Sequence, residues 1–120
     1  MQNPNPLNPM PPAPGAQFNF AQHLIELNAL RPNKTAFIDD VGTLSYGQLA
    51  ERVRRFAAGL LSLGVRREER VLLLMHDSSD WAVSFLGAMY AGVVPVAVNT
   101  LLTADDYAYM LQNSRSQAVL

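Results

Sequence analysis

The chain has 120 residues, a formal net charge of -1, 49% hydrophobic residues and no cysteine. That length suits one domain, the balanced charge offers nucleic acid no footing, and the lack of cysteine excludes a disulfide framework and thiolate metal sites. No apolar run approaches the ~18 to 20 residues a membrane-spanning helix needs, so a soluble protein is expected, and a reducing cytoplasm suits it.

Residues 1–17, MQNPNPLNPMPPAPGAQ, hold six of the eight prolines and no charged side chain, which predicts a disordered lead-in. They lack the basic start and apolar middle of a secretory signal and the arginines of a transit peptide. A proline-rich ligand for a partner domain is the sharper alternative to a plain tail. From Phe18 to Leu30 the residues Phe20, Leu24, Leu27 and Leu30 recur at helical spacing, and Arg31-Pro32-Asn33 stops the helix. His23 lies in it without a second ligand in view and reads as a surface residue.

Thr35 to Ile38 reads as a strand, Asp39-Asp40-Val41-Gly42 as a tight reversal, and Thr43-Leu44 as the returning strand of a hairpin. Ser45 then caps a long helix, with Gln48 completing a capping box. Leu49, Val53, Phe56, Leu60 and Leu63 form its apolar stripe, and Gly64 ends it. Arg52, Arg54, Arg55, Arg66, Arg67 and Arg70 cluster here, but Glu51, Glu68 and Glu69 interleave with them. A solvated face and turn explains them better than a phosphate-binding patch.

The stretch from Val71 to Asn99 is the one the rest is arranged around. Val71 to Met75 and Val93 to Val98 are apolar runs without alternation, which suits strands covered on both faces, and the segment between them is long enough for a crossover helix. The helix carries Trp81, Val83, Phe85, Leu86 and Met89 and almost no polar face, so burial on most sides is expected. Ser79 or Asp80 is expected to cap it and Gly92 to end it. Beyond Asn99, Thr103 with Asp106 caps a helix whose apolar side is Tyr107, Met110 and Leu111. Asn113-Ser114 closes it, and Gln117 to Leu120 opens one more strand, cut short by the end of the sequence. The alternation predicts an α/β fold: a partial, mostly parallel sheet with flanking helices.

Two constellations carry potential chemistry. His76, Asp77, Ser78 and Ser79 are the residue types of a hydrolytic triad, placed beyond the carboxyl end of a strand. Adjacent residues do not align as nucleophile, base and orienting acid, so a polar loop and helix cap is preferred. Asp39 and Asp40, with Asp77, are the types that hold Mg²⁺ in a receiver domain. That pair leads into a hairpin, and the only lysine, Lys34, precedes the first strand, so an Asp-rich turn is preferred. No GxGxxG or Walker motif is present, so no catalytic or metal-binding residue is assigned.

Three runs carry a resemblance: Arg31-Pro32-Asn33-Lys34-Thr35-Ala36, Leu44-Ser45-Tyr46-Gly47-Gln48-Leu49, and Gly87 to Asn99, GAMYAGVVPVAVN. Their order resembles the N-terminal segment of the acyl- and aryl-CoA ligases of the adenylate-forming superfamily, over Phe18 to Leu120. The last run, continuing into TLLTADDYAYML, is most like the benzoate-CoA ligases and their aryl-carboxylate relatives. The resemblance implies the N-terminal part of the large domain of an adenylate-forming enzyme, spanning residues 18–120 and incomplete.

It further implies a carboxylate such as benzoate as substrate, with ATP, coenzyme A and Mg²⁺, an acyl-adenylate intermediate, and acyl-CoA, AMP and pyrophosphate as products. The family's phosphate loop, aryl pocket and catalytic lysine lie later in such chains, so these residues alone are expected to be inactive and to bind none of the cofactors. In some relatives a basic residue two places after the asparagine matching Asn99 helps hold coenzyme A. Here that position is Leu101, and the role is not carried over. The alternative, from the residues alone, is a small receiver-like or flavodoxin-like binding domain, with an oligomeric interaction module a third.

Overall fold

A computed structural model describes residues 12–120. The tail expectation for residues 1–11 lies outside the described residues; residues 12–17 are exposed and form neither helix nor strand. Helix α1 spans Phe20–Leu27, strands β1 Thr35–Asp39 and β2 Gly42–Ser45 follow, then helix α2 Tyr46–Ser62 and strand β3 Arg70–Leu73. Helix α3 Ser79–Tyr90, strand β4 Val94–Ala97, helix α4 Ala104–Ser114 and strand β5 Ser116–Val119 complete the order.

Strands β1 and β2 pair antiparallel as a sheet of their own, Ile38 facing Thr43. The other three strands form a parallel sheet in the order β4-β3-β5, with Val71 opposite Pro95 on one side and Ala118 on the other. The expected βαβ unit is therefore present as β3-α3-β4. Central β3 is covered on both faces, with Val71, Leu72 and Leu73 buried. Strand β4 is not: it forms an edge of the three-stranded sheet, Val94 is 44% exposed, and Pro95 is tolerated there because it has no N–H to offer a ladder.

The core lies where α2 and α3 cross. One cluster gathers Ala21, Ile25, Leu44, Leu49, Val53, Val83 and Leu86. A second gathers Leu60, Val65, Val71, Ala88 and Val93. Phe56 packs against both. Helix α2 has the expected capping box, Ser45 Oγ accepting the Gln48 N–H at 3.2 Å and Gln48 Oε1 accepting the Ser45 N–H at 2.9 Å. Its stripe holds at Leu49, Val53 and Leu60 and fails at Leu63, which is 79% exposed because the helix ends at Ser62. Ala57 is buried in the stripe instead. Gly64 and Gly92, with φ of 86° and 77°, take the left-handed turns foreseen after α2 and α3.

Helix α1 is turned away from the expected face. Ala21 and Ile25 are buried and Leu24 half-buried, whereas Phe20, Leu27 and Leu30 are exposed, Leu30 fully. The helix also stops at Leu27: Asn28, buried, donates from Nδ2 to the Leu24 carbonyl at 2.7 Å and accepts from Arg31 Nε at 2.7 Å, closing the turn. Helix α4 keeps its Thr103–Asp106 box but buries no residue; Tyr107, Met110 and Leu111 are half-buried, and left-handed Arg115 follows its end.

The close approach of α2 and α3 depends on Gly87. A Cβ there would lie 2.5 Å from Cδ1 and 2.9 Å from Cβ of Phe56, well inside van der Waals contact. Gly87→Ala therefore displaces a core ring, and the overpacking is expected to destabilise the fold by about 1 to 3 kcal/mol, read as a lower urea midpoint. An unchanged midpoint would mean that the helices are not in contact at this position.

Candidate functional site

Open parallel sheets present ligand sites beyond the carboxyl ends of their strands. Here β3 runs out into the loop 74–78 and β4 into 98–103, and the two border a cleft of about 660 Å³ lined by His76, Asp77, Trp81, Asn99 and Thr100. Trp81 stacks on Phe85, ring centroids 5.0 Å apart and planes 10° from parallel. The other side of Trp81 and Asp77 borders an open groove of about 640 Å³ whose floor is apolar, with Phe20, Phe37 and Phe85, and whose rim includes Asp39 and Asp40.

The triad residues are neighbours without being a triad. Ser78, and not Ser79 or Asp80 as expected, is the cap of α3: its Oγ accepts the Trp81 N–H at 3.2 Å and donates to the His76 carbonyl at 3.2 Å. Ser79 is buried in the first turn, and its hydroxyl is not hydrogen-bonded to His76 or Asp77. The Ser78 hydroxyl, committed to its own backbone, is a cap and not a nucleophile.

Asp39 is engaged in another way. Its Oδ1 accepts the N–H groups of Val41 at 3.0 Å and Gly42 at 3.1 Å, closing the hairpin turn, and its Oδ2 accepts the Ser79 N–H at 2.9 Å, 40 residues away. The preferred Asp-rich turn is thus what Asp39 builds, and it also serves as a second cap of α3. Among the described residues no group of three or more His, Cys, Asp or Glu side chains is placed to hold a metal ion. Lys34 is exposed, with its carbonyl accepting the Tyr46 N–H at 2.9 Å.

Asn99 organises its own loop. Its Oδ1 accepts the Leu101 N–H at 2.8 Å, and its carbonyl accepts the Tyr107 hydroxyl at 2.7 Å, which in turn accepts the Leu102 N–H at 3.0 Å. Leu101 is 87% exposed and brings no polar side-chain group to the cleft. The Thr103 hydroxyl, and then its N–H, hold the Asp106 carboxyl below its ordinary value. Ser78, Asp39 and Asn99 spend polar atoms on neighbouring backbone and Arg52 is paired with Asp80, which leaves the side chains of His76 and Asp77 facing the cleft.

Four contributors were not foreseen. Asn19 caps α1 with its Oδ1, 3.1 Å from the Gln22 nitrogen, and donates from Nδ2 to the Met89 carbonyl at 2.8 Å, pinning α1 to the end of α3. The Arg52–Asp80 pair ties α2 to the start of α3, Asp39 ties the hairpin to the same turn, and Tyr107 holds the Asn99 loop. Asn19 before an apolar run was a readable cap signal. Arg52–Asp80 and Asp39–Ser79 join residues 28 and 40 positions apart and leave no local signature.

With this geometry in hand, comparison with known proteins places the chain. The model of the AMP-binding enzyme family matches residues 26–120. The chain belongs to that family, the adenylate-forming enzymes. It is 44% identical over 108 residues to the 4-hydroxybenzoate/benzoate-CoA ligase of Rhodopseudomonas palustris, covering 88% of this chain and 20% of that protein. Against the benzoate-CoA ligase of Thauera aromatica it is 44% identical over 107 residues, covering 87% of this chain and 20% of that one. The crystal structure of a benzoate CoA ligase from Burkholderia xenovorans superposes with a TM-score of 0.85 at 58% identity, over 86% of this chain and 21% of that chain.

The chain thus spans about a fifth of the length of the curated relatives it matches. The receiver-like alternative falls on both counts: the family is different, and Asp39 ends a strand of a separate antiparallel pair, outside the parallel sheet.

The N–H of Ser79 first, then its hydroxyl and the Val41 N–H, hold the Asp39 carboxyl at about 2, below its ordinary 3.8. Because the folded state binds that proton less readily, the stabilisation is fully present above the ordinary value and is lost as pH falls through about 2. The carboxyl carbon shift of Asp39 should titrate near 2, and a midpoint at the ordinary value would remove the capping role.

Proposed function

We propose that these residues form part of an aryl-carboxylate CoA ligase that converts benzoate, ATP and coenzyme A to benzoyl-CoA, AMP and pyrophosphate through a benzoyl-adenylate. The observation that carries this reading is the agreement of sequence and fold with benzoate-CoA ligases: 44% identity to two of them, and 58% identity at a TM-score of 0.85 to a third. The cofactors are ATP and coenzyme A with Mg²⁺, and the enzyme works in the cytoplasm, where both are made. No helix among the described residues is long and apolar enough to cross a membrane.

Residues 18–120 act as the N-terminal portion of the AMP-binding domain. Their role is the frame, and catalysis is left to the rest of the polypeptide. Three features support this. Helix α4 buries nothing, the outer edges of β4 and β5 are unpaired within the described residues, and Ile38 stands 77% exposed beside the aromatic groove. Each is a surface that packing against further chain would cover.

Intact mass of the polypeptide purified from its source, followed by ATP–pyrophosphate exchange, tests the reading. A chain several times longer than 120 residues that exchanges pyrophosphate with benzoate, and only weakly with a long-chain fatty acid, is the expected result. Residues 1–120 expressed alone should show no exchange. Exchange driven by fatty acid and not by benzoate would keep the family and overturn the substrate.

A further inference from the structure

We infer that Asp39 is a positioning residue that joins the hairpin tip to the loop bordering the carboxyl-edge cleft, so that the two open and close as one unit. Its carboxylate does separate work with each oxygen: Oδ1 holds the turn through Val41 and Gly42, and Oδ2 holds the first N–H of α3, that of Ser79. That N–H belongs to a buried residue, and the bond itself is part-buried. From Ser79 the connection runs back one residue to Ser78, whose hydroxyl fixes both the His76 carbonyl and the Trp81 N–H. His76, Asp77 and Trp81 are themselves the wall of the cleft.

A displacement of the hairpin thus pulls on the cleft loop through one carboxylate, and the coupling holds whatever the reaction of the enzyme is. The opposing possibility is that the hairpin is seated by the burial of Leu44 alone, with Asp39 a passive turn residue. Asp39→Asn separates the two, because a carboxamide keeps one acceptor oxygen where the carboxylate has two, and cannot serve both ends.

Amide hydrogen exchange of the full-length polypeptide is the test, read at Val41, Gly42, Ser79 and Trp81, with Val53 and Leu86 as reference positions in the core. In the unaltered protein the hairpin-turn and Ser79 amides should exchange at matched rates, as one cooperative unit does. In Asp39→Asn one end should exchange about tenfold faster while Val53 and Leu86 stay put. Asp39→Ala should release both ends, and Asp40→Asn neither. Unmatched rates in the unaltered protein, full protection of both ends in Asp39→Asn, or faster exchange spread equally over Val53 and Leu86 would each overturn the coupling.

Discussion

Helix α3 must be buried on nearly every side, and most other contacts in the molecule exist to make that possible. An apolar helix can be surrounded only if its neighbours come close and its two polar ends are satisfied. Gly87 meets the first demand by letting Phe56 of α2 pack against the helix backbone. The second is met from three directions: Ser78 and Asp39 accept the N–H groups of the first turn, and Asn19 donates to the carbonyls of Met89 and Tyr90 in the last. The hairpin and α1 are thereby fastened to α3 by a polar contact as well as by apolar packing, and the Arg52–Asp80 pair does the same for α2.

This arrangement gives the shared sequence runs a physical meaning. Two of the three are joined in space: the Pro32 carbonyl accepts the Gly47 N–H at 2.9 Å, the Lys34 carbonyl accepts the Tyr46 N–H at 2.9 Å, and the Arg31 guanidinium lies over the Tyr46 ring, 5.7 Å from its centre. Gly47 is tightly set, since a Cβ there would come within 3.1 Å of Pro32. The third run is the last half of α3 with β4. In this region a turn seats the start of α2, and α3 packs against α1, α2, β1, β3 and β4.

What could be read from the sequence follows a simple division. Local rules held: the capping boxes at Ser45 and Thr103, the left-handed glycines at 64 and 92 and the hairpin were legible because each depends on residues close in sequence, and the βαβ unit because two apolar runs flank a helix-length segment. Rules about faces held only partly. The stripe on α2 was right until the helix ended, but on α1 the buried face is Ala21 and Ile25 with Leu24 half-buried, and Phe20 and Leu27 are exposed. Strand β4 reads as doubly covered from its composition, yet it lies at an edge of the three-stranded sheet. Composition reports what a strand is built to meet, and not what lies beside it among the described residues.

The candidate site shows the same division with a functional consequence. His76, Asp77, Ser78, Asp39 and Asn99 are polar residues clustered near strand ends, the pattern from which active sites are usually inferred. Most of their polar atoms turn out to serve backbone: Ser78 and Asp39 the start of α3, Asn99 its own loop. Polar side chains collect where strands and helices end because unpaired N–H and carbonyl groups collect there, and that need is met before any ligand arrives. His76 and Asp77 differ in facing the cleft without such a duty. The backbone at this edge is thus held from within the chain, by Ser78 of the loop and by Asp39 of the hairpin.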